Sequence, residues 1–484
     1  MKDRMKLLTD EQVQFIHNKA LDMLEELGMK FENDEACDYW AKAGATVEDH
    51  VCKIPRDILL KALETVPKKD DFVLYGRTPD RDWKVQDHLP TLHSMTMAVK
   101  VIDPETDEVR LATREDLAKL TRILERCDCY TAASAPITPQ DVPLSSADWY
   151  TTAESVKNTT KHITIGAVGK KGVYDSAEMG AIALGGTLED FKKRPFISVW
   201  ALTSPPLCAQ ENMCNTLMAA AELGMCNVIT SGGILGMSSP MTVESALIHT
   251  HAEIMATIAL TQLVNPGAPV IYSSFVRAVD MGTMVVGMGA PESTLMRGCM
   301  AQMGNFLGFP TQTPTMLRDG KILDAQAGFE TGFCGLVGSM TSDFIIANQL
   351  DSDLIVDFAD IPFTNECMEQ IQRLLRPLDF EDEERVDADF ENMEEVGYGG
   401  SFLDSYHTVQ YFRTELWKPH LTERDNYDNW VANGSKSIRQ KALELAMQYV
   451  EEAGGKPLLT DEQCAAIDKI ADDSVGKSVR THQD

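Results

Sequence analysis

Positive charge, paired cysteines and long apolar runs are all scarce in this chain. The 11 cysteines form no Cys-x-x-Cys and show no zinc-ligand spacing. They stand singly in apolar settings such as Cys208, Cys214, Cys299 and Cys334, with Cys127 and Cys129 as the one close pair. Buried thiols in a reducing cytoplasm are therefore expected, not a disulfide frame. Lys and Arg total 44 against 74 Asp and Glu, a formal charge of -30. That balance argues against a nucleic-acid or anionic-membrane surface as partner; it is compatible with a cationic ligand, although most of the acid reads as solvated helix surface. No apolar run reaches transmembrane length, and Met1 to Asp10 is charged without an apolar core, so neither a span nor a signal peptide is expected. No Gly-x-Gly-x-x-Gly follows the early strands, which disfavours a doubly wound dinucleotide-binding sheet.

What is present is a rhythm. Up to about residue 95 short helices and strands alternate, beginning with a Thr9/Gln12 capping box ahead of a helical apolar stripe that Gly28 stops. This stretch reads as an N-terminal helical cap. From about residue 130, short apolar strands recur at Tyr130–Ala135, His162–Gly166, Phe196–Leu202, Asn227–Ser231, Val270–Ser274, Thr311–Met316 and Leu354–Phe358. The segments between them read mostly as helix, including Met241–Leu263, Glu292–Leu307 and Leu323–Leu350. Strand then helix at this spacing is the signature of parallel pairing with right-handed crossovers, and about seven such units fit a closed (β/α)8 TIM barrel best. The eighth strand is not evident, with Gly400–Leu403 one possibility. The expected organisation is thus α/β: cap 1–95, barrel 96–405 and a C-terminal helical extension 406–484, with an acidic segment from Glu381 to Glu395 between Pro377 and the extension. The 24 methionines read as core filler.

The stretch 265–292 draws attention first. Val270-Ile271-Tyr272 is a core strand, and behind it Phe275, Arg277 and Asp280 open a glycine-bearing loop. In a strand–helix barrel such loops form the active-site face, so an aromatic, a cation and a carboxylate at one strand end suggest a pocket for a small charged ligand. The plainer alternative is a loop whose charges sit in water.

Several blocks occur in order: Ser238-Ser239-Pro240-Met241-Thr242, Ala252-Glu253, Gln262 through Tyr272, Asp280-Met281, Gly289-Ala290-Pro291-Glu292, and Asp324 through Glu330. Near the C-terminus stand Tyr406-His407-Thr408, Phe412-Arg413, Trp417-Lys418-Pro419, Glu423-Arg424 and Trp430. In these the chain resembles the trimethylamine methyltransferase family. Founding members of that family carry pyrrolysine in the neighbourhood of Met316 to Lys321; here Leu317-Arg318-Asp319-Gly320-Lys321 are ordinary residues, so the resemblance is to the non-pyrrolysine branch. That branch implies demethylation of a quaternary amine such as glycine betaine, proline betaine, carnitine or γ-butyrobetaine, with cob(I)alamin as methyl acceptor. The chain has no Asp-x-His-x-x-Gly corrinoid signature, which implies no directly bound cofactor and a separate corrinoid protein docking over the barrel mouth.

That chemistry suits the residues available. A quaternary ammonium needs neither Lewis acid nor general base, but aromatic faces would hold it at about 0.5–2 kcal/mol each. Trp200, Tyr272, Phe275 and Phe358 fall at or near strand ends and are the cage candidates, each with core packing as the alternative. A substrate carboxylate calls for arginine, so Arg277 and Arg318 are candidates with Lys321 behind them. Asp357 could orient a hydroxyl or the cation or merely cap a helix, and His407, amid Tyr406, Tyr411 and Trp417, could serve a site or docking role. A homo-oligomer is expected. Two rival functions stand: an acid–base or Schiff-base barrel enzyme using Lys321 or Glu253, and a non-catalytic quaternary-amine binder.

Overall fold

In the computed structural model, residues 4–85, 89–94, 98–166, 169–378 and 382–475 are described; of the acidic segment read from Glu381, that first residue lies outside them. Eight parallel strands form one sheet: β1 (Thr91–Ser94), β2 (Tyr130–Ala132), β3 (Ile163–Ile165), β4 (Ile197–Leu202), β5 (Asn227–Ser231), β6 (Val270–Ser274), β7 (Thr311–Leu317) and β8 (Phe344–Gln349). Neighbours run β3 through β8 in sequence, then β1 and β2. A parallel bridge between Ala132 and His162, with Ala133 N–H donating to the His162 carbonyl at 2.8 Å, closes the ring between β2 and β3.

Each strand is followed by a helix: α1 (Arg114–Arg126), α2 (Ala147–Asn158), α3 (Gly169–Ala183), α4 (Glu211–Glu222), α5 (Val243–Val264), α6 (Pro291–Leu307), α7 (Ala325–Thr341) and α8 (Asp360–Leu375). This is the (β/α)8 arrangement expected from the spacing. Six strands, β2 to β7, lie where the short apolar runs placed them. The other two do not. Strand β8 lies inside the stretch read as one helix, Leu323–Leu350, because Phe344-Ile345-Ile346-Ala347 is uniformly apolar and fits either period. Helix α7 ends at Thr341, and Ser342-Asp343 separates it from the strand. Strand β1 precedes the expected start of the barrel. Leu354–Phe358 contains a strand, Ile355–Asp357, but it pairs with Lys100–Ile102 in a three-stranded side sheet outside the barrel. Gly400–Leu403 is not a strand.

Helix α5 is buried almost all round because it lies between the barrel wall and the N-terminal helices Asp10–Glu26, Asp34–Ala43 and Arg56–Glu64. The first of these carries the Thr9/Gln12 capping box. Close approach also shapes α6: a Cβ on Gly304 would stand 2.6 Å from Thr311 Cγ2 and 3.0 Å from the Tyr272 ring. The C-terminal region holds α9 (Glu383–Val396), α10 (Tyr406–Glu415), α11 (Tyr427–Ala432), α12 (Ile438–Glu452) and α13 (Asp461–Asp473). Ala446 of α12 packs into the α1/α8 side of the core, and Ile467 and Ala471 of α13 into the α2/α3 side. Among the described residues no helix is long and apolar enough to cross a membrane.

Candidate active site

Side chains alternate across a strand, so every second residue of each barrel strand points to the axis. At the strands' N-terminal end the axis is plugged by Phe72, Trp83, Val228, Ile271 and Phe344. Above the plug the lining turns polar. Gln312 of β7 and His93 of β1 meet at 2.8 Å although β8 lies between their strands, a contact possible only on the concave side. Burial holds His93 neutral, its pKa well below the usual imidazole value. Ser273 shares the inward parity of Ile271, and Thr230 is its cross-strand neighbour. His93 Nε2, Gln312 Oε1, Ser273 Oγ and Thr230 Oγ1 are buried and have no hydrogen-bond partner among the described residues. Buried polar atoms are nearly always paired, so a ring of unpaired ones around one axis marks a place for a polar ligand or its water.

At the strands' C-terminal end the lining becomes aromatic and cationic. Phe275, one residue past β6, meets Trp200 of β4 edge to face with ring centroids 6.5 Å apart, and packs with Met288, Leu317 and Ile346. Two guanidinium groups sit against the Phe275 ring, Arg277 at 5.0 Å and Arg297 of α6 at 5.4 Å from its centroid. Arg297 is fully buried. It donates to the carbonyls of Val276 at 3.1 Å, Met288 at 3.0 Å and Pro314 at 2.7 Å. Removal from water pulls its pKa down to about 10. Arg277 keeps an unpartnered Nε, and burial lowers its pKa too, with Asp353 opposing the shift.

Asp353 completes this group. Only 4% exposed, with Oδ1 unpartnered among the described residues, its carboxyl is pushed up to about 7 by burial, against the pull of Arg297 and Arg277. The segment bearing it is strained: Asn348, Asp351, Ser352 and Asp353 have φ of 82°, 52°, 53° and 78°, a region side chains other than glycine's rarely enter. Strain of this kind persists only where surroundings impose it, and it gathers at functional sites. Here Asp351 and Ser352 N–H groups donate to Gly320 and Arg318 carbonyls at 2.9 and 3.0 Å, and Ser352 Oγ donates to Asp319 at 2.9 Å. Asp319 in turn accepts the Met288 and Gly289 N–H groups, which pins the hairpin over the mouth.

The Asp353 shift has a measurable sign. Its folded-state pKa lies above the unfolded carboxyl value, so its contribution to stability is complete below about pH 4 and is lost as pH rises to about 7. Thermal unfolding of Asp353→Asn across that range should show the variant gaining on the wild-type protein as pH increases; a constant difference would place the carboxyl in water.

Of the residues singled out from sequence, Trp200, Phe275 and Arg277 come together at the mouth. Lys321 stands exposed on the rim, paired with Asp351 at 2.9 Å. The others go elsewhere. Tyr272 has the opposite parity to Ser273 and Phe275, so it leaves the barrel and its hydroxyl meets His251 Nδ1 on α5 at 2.8 Å. Arg318 is fully buried behind the wall, ion-paired to Asp360 and bonded to Thr331 Oγ1 at 3.1 Å, leaving no face for a ligand. Phe358 is core beneath α1 and α8. Asp357, in the side sheet, accepts Arg439 Nε at 2.6 Å and the Ala359 N–H at 3.0 Å. His407 lies on α10, paired with Asp389 at 2.8 Å, and lines a cavity of about 480 Å³ with Arg376, Tyr411 and Glu415.

The acid and amine of the Schiff-base alternative are no better placed. Glu253 is fully buried, accepting Thr203 Oγ1 at 2.6 Å and Ser231 Oγ at 2.7 Å, so it ties the ends of β4 and β5 together. Lys321 is open to solvent, not desolvated as a lysine nucleophile requires. Sequence reasoning missed Arg297, Asp353, His93 and Gln312. Arg297 had a signal, a lone cation between Met296 and Cys299 on an otherwise apolar helix; Asp353 looked like part of an Asp-Ser-Asp turn. Among the described residues no group of three or more His, Cys, Asp or Glu could hold a metal ion.

Comparison with known proteins agrees with this geometry. The crystal structure of an MtmB–hydroxylamine complex superposes with a TM-score of 0.50 at 11% identity, covering 93% of this chain and 89% of that one, a likeness of fold alone. Trimethylamine methyltransferase MttB of Desulfitobacterium hafniense (strain DSM 10664 / DCB-2) is 30% identical over 455 residues, 93% of this chain and 90% of that protein. Glycine betaine methyltransferase of Desulfitobacterium hafniense (strain Y51) is 28% identical over 459 residues, 93% and 94% of the two chains. The model of the family described as trimethylamine methyltransferase (MTTB) matches residues 1–472, nearly the full length, and the protein belongs to that family.

Proposed function

We propose that this methyltransferase removes a methyl group from a betaine-type quaternary amine and passes it to the cobalt(I) corrinoid of a separate carrier protein. The observation that carries the reading is the meeting of Trp200 and Phe275 with the guanidinium groups of Arg277 and Arg297 at one end of the barrel. π-faces suit a trimethylammonium head and a guanidinium suits a carboxylate, and a betaine has both. Ordinary residues at 317–321 and the similarity to a glycine betaine methyltransferase support a quaternary rather than a tertiary amine. The same reading has the protein act in the cytoplasm as a homo-oligomer.

The chemistry asks little of the chain beyond placement. The docked carrier's corrinoid supplies the nucleophile; the methyl leaves nitrogen without its bonding pair, which stays behind as the lone pair of a tertiary amine. No proton moves. Trp200 and Phe275 hold the ammonium head, Arg277 anchors the carboxylate, and the polar ring of His93, Gln312, Ser273 and Thr230 lies below to receive whatever else the ligand presents. Holding reactants in line can lower a barrier by roughly 7–11 kcal/mol in favourable cases.

A thermal-shift screen of glycine betaine, proline betaine, carnitine and γ-butyrobetaine tests the assignment. A ligand at a hundred times its Kd should stabilise the fold by about 2.7 kcal/mol, and the one that does so should be demethylated only when reduced carrier is added. If none of the four shifts the transition, the betaine reading fails; a shift without transfer would favour a binder. Phe275→Ala or Trp200→Ala should weaken binding of the active ligand by about 0.5–2 kcal/mol each, read by calorimetric titration.

A further inference from the structure

No residue of α9, α10 or α11 is buried, yet the two longer helices are patterned for burial. In α9, Val386, Phe390 and Met393 fall at i, i+4 and i+7; in α10, Val409, Phe412 and the capping Leu416 fall at i, i+3 and i+7. Each set occupies a narrow arc of its helix, and such a stripe normally faces a core. Here it faces solvent: Phe390 is 61% exposed, Val409 62% and Leu416 67%, and in the connector Leu403 is 77% exposed. Helices of 14 and 10 residues are marginal in water without tertiary packing. An apolar surface of this extent marks an interface.

We propose that α9 and α10 form the contact between two copies of this chain. Three observations favour a second copy over the corrinoid carrier. The first is position. Helix α8 runs back from the mouth toward the N-terminal ends of the strands, where Gln372 bonds the carbonyl of Pro90 just ahead of β1. Arg373 and Arg376 at that same end bind the Glu415 carbonyl and carboxylate, so the end of α10 is moored on the side of the barrel away from the mouth. A carrier that must reach the mouth, as the proposed function requires, does not cover it.

The second is permanence: helices with nothing buried beneath them need a constant cover, and a carrier leaves after each transfer. The third is self-complementarity. Helix α9 is acidic through Glu383, Glu384, Asp387, Glu391 and Glu394, while the end of α10 and the segment after it bring Arg413, Lys418 and Arg424. A two-fold axis sets the acidic stretch of one copy against the basic stretch of the other, which is the local pairing two chains of formal charge -30 would need. Arginines already stacked on aromatics, Arg413 on Phe412 at 5.2 Å and Arg424 on Trp417 at 5.4 Å, are the side-chain types that dominate such contacts.

Light scattering coupled to size exclusion should give the wild-type protein a mass of two chains or a multiple of two, and Phe390→Glu with Val409→Glu should halve it while the ligand-induced thermal shift persists. A monomeric wild-type protein, or an assembly whose mass the double substitution leaves unchanged, would overturn the proposal. So would unchanged mass with lost transfer to the carrier, since the carrier would then own this face. Hydrogen exchange on the unmodified protein gives an independent reading should the double variant not fold. Amides of 383–416 should gain protection as protein concentration rises through the dissociation range, and protection independent of concentration there would sink the idea. None of these readouts depends on the betaine assignment.

Discussion

Replacing Arg277 by alanine should reduce affinity for a carboxylated quaternary amine by roughly 30- to 1,000-fold, the equivalent of about 2–4 kcal/mol for losing one partner of a desolvated charge pair. Tetramethylammonium, which offers no carboxylate, should bind the variant and the wild-type protein alike. The contrast follows from how the two arginines at Phe275 are employed. Arg297 has its donors on three carbonyls and the Met288 sulfur, whereas Arg277 retains an unpartnered Nε beside an equally unpartnered Asp353 oxygen. Equal losses for both ligands in calorimetric titration would show that Arg277 shapes the pocket and does not read the anion.

Arg318→Met should act in the opposite way, on stability and not on binding. Its guanidinium is the charge partner of Asp360, both fully buried, and the carboxylate left behind would keep only the Thr364 hydroxyl, at 2.9 Å, among the side-chain contacts on its oxygens. Removing one member of a buried ion pair costs about 3–5 kcal/mol. Urea unfolding should register that loss, and Arg318→Met combined with Asp360→Leu should recover most of it, because an apolar pair of similar volume is often neutral there. Folded Arg318→Met protein should bind the active betaine with unchanged affinity; a large affinity loss would return Arg318 to the site.

The two arginines show where the chain was legible and where it was not. Strands β2 to β7 could be read because each is a short apolar run set off by glycine, proline or polar residues. Strand β1, Thr-Leu-His-Ser, could not, since half of it lines a polar barrel interior and so breaks the apolar pattern used to find it. Strand β8 was hidden for the reverse reason, being apolar throughout and continuous with a helix of the same character. In the site, Trp200, Phe275 and Arg277 were found because strand ends feed the mouth. Tyr272, Arg318 and Phe358 satisfied the same criterion and failed on parity: shifting by one residue sends a side chain to the other side of the wall, and no local feature announces which. His93, Gln312, Arg297 and Asp353 converge from four separate elements, so their association exists only in the folded chain.

Arg297 has one more effect, which reaches beyond its contacts. It carries no ion-pair partner among the described residues, so its charge, sunk behind Phe275 and steadied only by carbonyl dipoles, is not cancelled locally, in a molecule otherwise rich in acid. A zwitterion arriving at the mouth meets a field that draws its anionic end inward and turns its methylated end toward the entrance before any hydrogen bond forms. On the proposed chemistry, the leaving carbon is thereby aimed at the outside, the one direction from which a second protein can reach it.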